Sequence, residues 1–149
     1  MEHFPVNHRL QPVYRFVAGV GGVYLLVFGI VGLVETASVA LFAQDGLPSV
    51  LGLHANRAFA ILSIVAGVVL VGAAIAGGMV HQRINVVVAS VFLVAGLATM
   101  VLLETDLNFL GFSIATCIVS FVVGLVLLTA GMYGKVGPRE DTAHAEATD

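Results

Sequence analysis

Five histidines, one cysteine and nine acidic residues are the groups that could ligate a metal, carry a nucleophile or relay a proton in this 149-residue chain. The histidines are His3, His8, His54, His81 and His144. A haem or metal site among membrane helices needs imidazoles on facing segments, and none of these lies midway along an apolar run. His54 and His81 flank one run, and at 1.5 Å per helical residue they stand roughly 40 Å apart. They cannot share an ion. Cys117 has no basic neighbour in sequence to favour a thiolate, so it reads as a small buried hydrophobe rather than a nucleophile. Glu35, Asp45, Glu104 and Asp106 gather at one set of run ends and, with Asn56 and Asn108, offer the oxygen ligands that Ca²⁺ or Mg²⁺ takes. No motif spacing supports a cation site there, and solvated loop charges are the plainer reading. The polar cluster at that end is Glu35, Asn56, Arg57, Glu104 and Asp106. No Ser/His/Asp set, phosphate-binding glycine loop or metal-ligand spacing is present. Neither a cofactor nor a metal is expected, and the chain does not read as an enzyme.

The elements between these residues explain the scarcity. The chain is 59% hydrophobic and 10% charged, with a mean hydropathy of +1.06. Soluble domains carry about 25% charged residues, so a water-exposed fold would leave too much apolar surface. Four apolar runs, 13–34, 58–80, 84–103 and 109–133, each suffice for the ~20 helical residues that cross a hydrocarbon core. Isolated strands cannot span lipid, and a β-barrel would show short alternating segments. The expected fold is an all-α membrane protein, a four-helix transmembrane bundle over 13–134. Residues 1–12 form a tail before it. Residues 135–149, from Pro138 on a polar stretch without large apolar side chains, are expected to be a disordered cytoplasmic tail, with protein docking as an alternative role. The first run exceeds the 7–15 residues of a signal-peptide core, so cleavage is not the reading.

Basic residues set the orientation. Arg9, Arg15, Arg83, Lys135 and Arg139 fall on one side, and Arg57 alone on the other. The positive-inside rule places both termini in the cytoplasm of a cell membrane. Arg15, the charge inside a run, sits where its side chain can snorkel to the interface. In His54-Ala55-Asn56-Arg57, Asn56 reads as a helix N-cap. Arg57 lies near the headgroups and could also pair with Glu35 or Glu104.

The runs look duplicated. Val27-Phe28 and Gly32-Leu33 recur as Val91-Phe92 and Gly96-Leu97. Ser63, Val65, Gly67, Val69 and Leu70 recur as Ser120, Val122, Gly124, Val126 and Leu127, and Leu51-Gly52 recurs as Leu110-Gly111. Two tandem two-helix repeats would be related by an axis along the membrane normal. Lipid is as apolar as leucine, so small residues must mark helix contacts. Thr116, Ser120 and Gly124 share one helical face with Gly131 further along it. Ser63 and Gly67 repeat the central pair, so spans two and four should use these faces near the bundle axis.

The start Phe4-Pro5-Val6-Asn7-His8-Arg9-Leu10, the span 27–34, the stretch 51–67 and the segment 112–134 resemble an actinobacterial family of small four-span integral membrane proteins, classed only as a domain of unknown function. The resemblance runs from about His3 to Gly137. It implies four spans and an actinobacterial source, and brings no activity, ligand or site residue.

Three functional classes remain. A non-enzymatic structural or partner-binding component of the cell membrane fits spans without buried charges and rich in small residues. Its partners would be the lipid bilayer and either another membrane protein or a second copy, and no Lys/Arg cluster suggests nucleic acid. A small transporter, channel or accessory subunit is the second, and a water-filled pore lined by Thr99, Thr116, Ser120 and Thr129 would favour it. A redox subunit or enzyme would need a cofactor, for which no ligands stand out.

Overall fold

The computed structural model describes residues 9–133. It holds four helices long and apolar enough to cross a membrane: α1 (Gln11–Glu35), α2 (Arg57–Ala76), α3 (Gly78–Leu102) and α4 (Ile114–Tyr133). The fold is all-α apart from one small hairpin, β1 (Ser49–Val50) with β2 (Leu53–His54). The tail expected over 135–149 lies outside the described residues, as does most of 1–12.

Two helix boundaries differ from expectation. The α2–α3 turn falls at Gly77-Gly78, not at 81–83. Both glycines have positive φ, 68° and 60°, which only glycine adopts freely. Continuous hydropathy hides such a turn, because the apolar run carries on across it. Arg83 therefore lies inside α3, still at the same end of the bundle. At the other boundary α4 starts at Ile114 rather than 109. Gly111 takes φ 63°, and Asn108 closes the preceding turn by accepting from the Phe112 N–H at 3.0 Å and donating to its carbonyl at 2.9 Å. The β1–β2 hairpin was not foreseen. Leu51 and Gly52 both have positive φ, as a tight two-residue hairpin turn requires.

The bundle has two ends. The loop end carries the 36–56 and 103–113 connections. The turn end carries Gly77-Gly78, the start of α1 and the end of α4. α1 packs along α2 and α3 along α4 far more extensively than α1 meets α4 or α2 meets α3. The core between the four helices is Ala18, Leu25, Leu70, Ala89, Leu127 and Ala130. Toward the loop end an aromatic series takes over. Phe28 meets Phe59 edge-on at 5.4 Å between centroids, and Phe59 meets Phe112 at 4.7 Å, the geometry that aromatic quadrupoles favour. The outward surface of the helices is mostly apolar: Phe16, Ile75 and Val101 are each more than 70% exposed, as suits lipid-facing side chains.

Corresponding positions of α2 and α4 share burial. Ala60 and Cys117, Ser63 and Ser120, Gly67 and Gly124, Leu70 and Leu127, and Ala73 and Ala130 are all buried.

Candidate functional site

The small residues predicted to mark contact faces are all buried. Each of the three glycines among them abuts a neighbouring helix. A Cβ on Gly67 would lie 2.7 Å from the Leu26 amide nitrogen and 2.8 Å from the Gly22 carbonyl oxygen of α1. A Cβ on Gly124 would meet the Leu93 side chain of α3 at 2.9 Å, and one on Gly131 would meet Val86 at 2.7 Å. Ser120 donates across helices to the Phe92 carbonyl at 2.9 Å. Ser63 instead donates to Phe59 in its own helix at 2.8 Å. Thr116 sits against the Ser113 hydroxyl at 3.0 Å and reaches the His54 carbonyl at 3.5 Å. The α1 side of the first seam escaped the sequence reading. A Cβ on Gly29 would strike the Ile64 side chain at 2.5 Å and the Ala60 carbonyl at 2.7 Å. The spacing of Gly22, Gly29 and Gly32 along one face was the signal.

At the loop end the polar cluster divides. Asn56 is fully buried, and all its side-chain groups have partners. Its Oδ1 accepts from the Phe59 N–H at 2.9 Å, capping α2. Its Nδ2 donates to the Ala43 carbonyl at 3.0 Å and the Phe109 carbonyl at 2.8 Å. One side chain thus joins the start of α2 to both connections. Gln44 adds a second link, donating to the Asp106 backbone carbonyl at 2.7 Å. Glu35, Asp45, Arg57, Glu104 and Asp106 are all exposed. Among the described residues no three His, Cys, Asp or Glu groups come together as a metal site. The two asparagines of the considered oxygen cluster are used on backbone instead. Nor does an ion pair join Arg57 to Glu35 or Glu104.

The turn end holds polar contacts that the sequence does not show. The Arg15 guanidinium donates through Nε to the Ala74 carbonyl and through Nη2 to the Ile75 carbonyl at 2.8 Å. It therefore caps the carbonyl end of α2, where a cation complements the helix dipole. His81 and Asn85, one turn apart on α3, are 2% and 0% exposed. Asn85 Nδ2 lies 3.0 Å from His81 Nε2, while Asn85 Oδ1 is buried without a partner. Hydropathy averaging conceals one amide among valines. Its place beside His81 at helical spacing was the available clue.

The four hydroxyls that could line a pore do not share one. Thr129 is exposed and bonds within α4. Thr99 donates to the Ala95 carbonyl within α3 and lies 3.7 Å from the Cys117 sulfur. Cys117 is fully buried. A central cavity beside Phe28, Phe59, Thr116 and Ser120 measures about 20 Å³, room for about one water. Comparison with protein-family models, with curated proteins and with solved structures gave no match.

Proposed function

We propose that this integral membrane protein is a non-enzymatic structural or partner-binding component of the cell membrane, with both termini cytoplasmic. One observation carries the reading. Three polar side chains at the helix ends and seams bind the protein's own backbone: Asn56 across two connections, Arg15 on α2, Ser120 on α3. Such groups fasten a scaffold and are not presented to a substrate. The two-repeat organisation belongs to this reading, as does the resemblance to the actinobacterial four-span family. What supports duplication is the shared burial of corresponding positions and of Gly32 with Gly96. Gly32 faces Ala60 of α2, and Gly96 faces Ser120 and the Cys117 carbonyl of α4. Solubilisation in mild detergent with identification of stoichiometric companions tests the reading. A defined membrane protein or a homo-oligomer, lost when a lipid-facing valine is changed to tryptophan, is the expected result. Steady solute flux in proteoliposomes, with no companion, would overturn it.

The buried His81–Asn85 pair favours a second reading, a small transporter, channel or accessory subunit. Polar groups inside a span mark ion or substrate paths by default, and Asn85 Oδ1 lacks a donor. Under that reading Asn85→Leu abolishes flux while the protein stays folded.

A further inference from the structure

Between α2 and α3 the bundle opens sideways. One cavity there, of about 270 Å³, runs from Phe59 to Val69 on α2 and from Val87 to Ala95 on α3. A second, of about 200 Å³, continues along Val69, Val87 and Val88 to Arg83. The three valines line both, so the cavities form one crevice. Apart from Arg83 at one end, its walls are apolar except for two serine hydroxyls, both already donating to backbone carbonyls. A polar solute finds nothing to bind along its length.

The ends of the crevice are unequal. Arg83 at the turn end is exposed, and among the described residues no hydrogen bond or ion pair engages its guanidinium. From Arg83 to Ala95 the helix rises roughly 18 Å. One leaflet contributes about half of a hydrocarbon core roughly 30 Å thick. The crevice therefore has the length of one acyl chain, with a cation where the headgroup phosphate of that lipid would lie. A helix about 10–12 Å across cannot enter between two helices that still touch. We propose that the α2–α3 crevice binds an anionic phospholipid, its phosphate on Arg83 and one acyl chain between α2 and α3.

The full-length protein, delipidated in mild detergent, is titrated with phosphatidylglycerol and separately with phosphatidylcholine carrying the same chains. Retained lipid is read by native mass spectrometry and stability by thermal unfolding. Phosphatidylglycerol should be retained at one molecule per chain and raise the unfolding midpoint more than phosphatidylcholine. Arg83→Gln should weaken phosphatidylglycerol roughly five-fold, the factor matching about 1 kcal/mol per cation at an anionic surface. Arg57→Gln, at the opposite end, should keep the preference. Val87→Trp, whose side chain is exposed and folds freely outward or into the crevice mouth, should reduce retention of both lipids. Equal retention of the two lipids by the unaltered protein overturns the proposal, as does an undiminished preference in Arg83→Gln. A dimer that Val87→Trp dissolves, with no lipid retained, overturns it in favour of a second copy of the chain.

Discussion

The side-chain amide of Asn56 donates to the backbone carbonyl of Phe109 at 2.8 Å, across 53 residues of chain. The same amide caps α2 and holds the Ala43 carbonyl. Losing the cap costs about 1 kcal/mol, and each buried carbonyl left without a donor adds roughly 1–3 kcal/mol. Asn56→Ala should therefore lower the unfolding midpoint in detergent clearly. Asn56→Asp separates the two roles, because aspartate can cap but cannot donate. It should destabilise about as much as alanine, since it sets an oxygen against two carbonyl oxygens. An Asn56→Asp protein as stable as the parent would show that the two donated bonds contribute nothing.

Three glycine-to-alanine substitutions rank the seams. At Gly67 the new methyl meets α1 backbone, which cannot swing aside; at Gly124 it meets the Leu93 side chain first; at Gly72 it meets nothing within 4 Å. Overpacking costs about 1–3 kcal/mol, whereas alanine gains up to about 1 kcal/mol over glycine in a helix. The expected order of stability is Gly72→Ala highest, then Gly124→Ala, then Gly67→Ala. Leucine at Gly67 or Gly124 should be worse still, and leucine at the partly exposed Val69 or Val126 mild. Equal midpoints across the alanine series would remove close backbone approach as the source of helix association.

Arg57→Gln and Glu104→Gln should each leave insertion and detergent stability unchanged. Both side chains are exposed and unpaired with one another, and exposed charges contribute little even when paired. A shared loss of stability in the two variants would show that Arg57 and Glu104 do pair in the folded protein.

Orientation is open to direct measurement. A periplasm-active reporter fused after Asp149 should be silent and one placed at Asp45 active, because basic residues concentrate at the turn end. The reverse pattern would invert the bundle.

Asn85→Leu distinguishes a structural amide from a functional one. Leucine is close in shape and removes the unpartnered oxygen, but it also takes the Asn85 Nδ2 partner from buried His81 Nε2. The two effects are each about 1–3 kcal/mol and opposite in sign, so stability should change little. A fall larger than loss of the His81 contact can cost, about 1–3 kcal/mol, would mean that Asn85 Oδ1 also has a donor, such as a water.

The four spans were legible because membrane helices announce themselves by length and apolarity alone. Asn56 was legible as a cap, from its position before an apolar run. Its two longer bonds were not, because Ala43 and Phe109 offer only backbone carbonyls, which carry no sequence signal. The Gly77-Gly78 turn was hidden for a related reason: the residues around it are as apolar as the helices it joins. Gly67 and Gly124 were readable from spacing, while Arg15 looked like a snorkelling charge when its guanidinium in fact finishes α2. The His81–Asn85 pair is hidden because hydropathy ends the apolar run before His81, which places the imidazole in solvent rather than on α3.

The unequal closeness of the helix pairs bears on the order in which the molecule can be made. α1 and α2 share their own glycine seam, so the N-terminal hairpin can pack before the ribosome has delivered α3. What it lacks at that moment is an acceptor, for the Phe109 carbonyl that Asn56 needs is still unsynthesised. The last turn of chain between α3 and α4 is thus the latch, and a protein halted before it would hold two packed helices with a buried amide left open at one end.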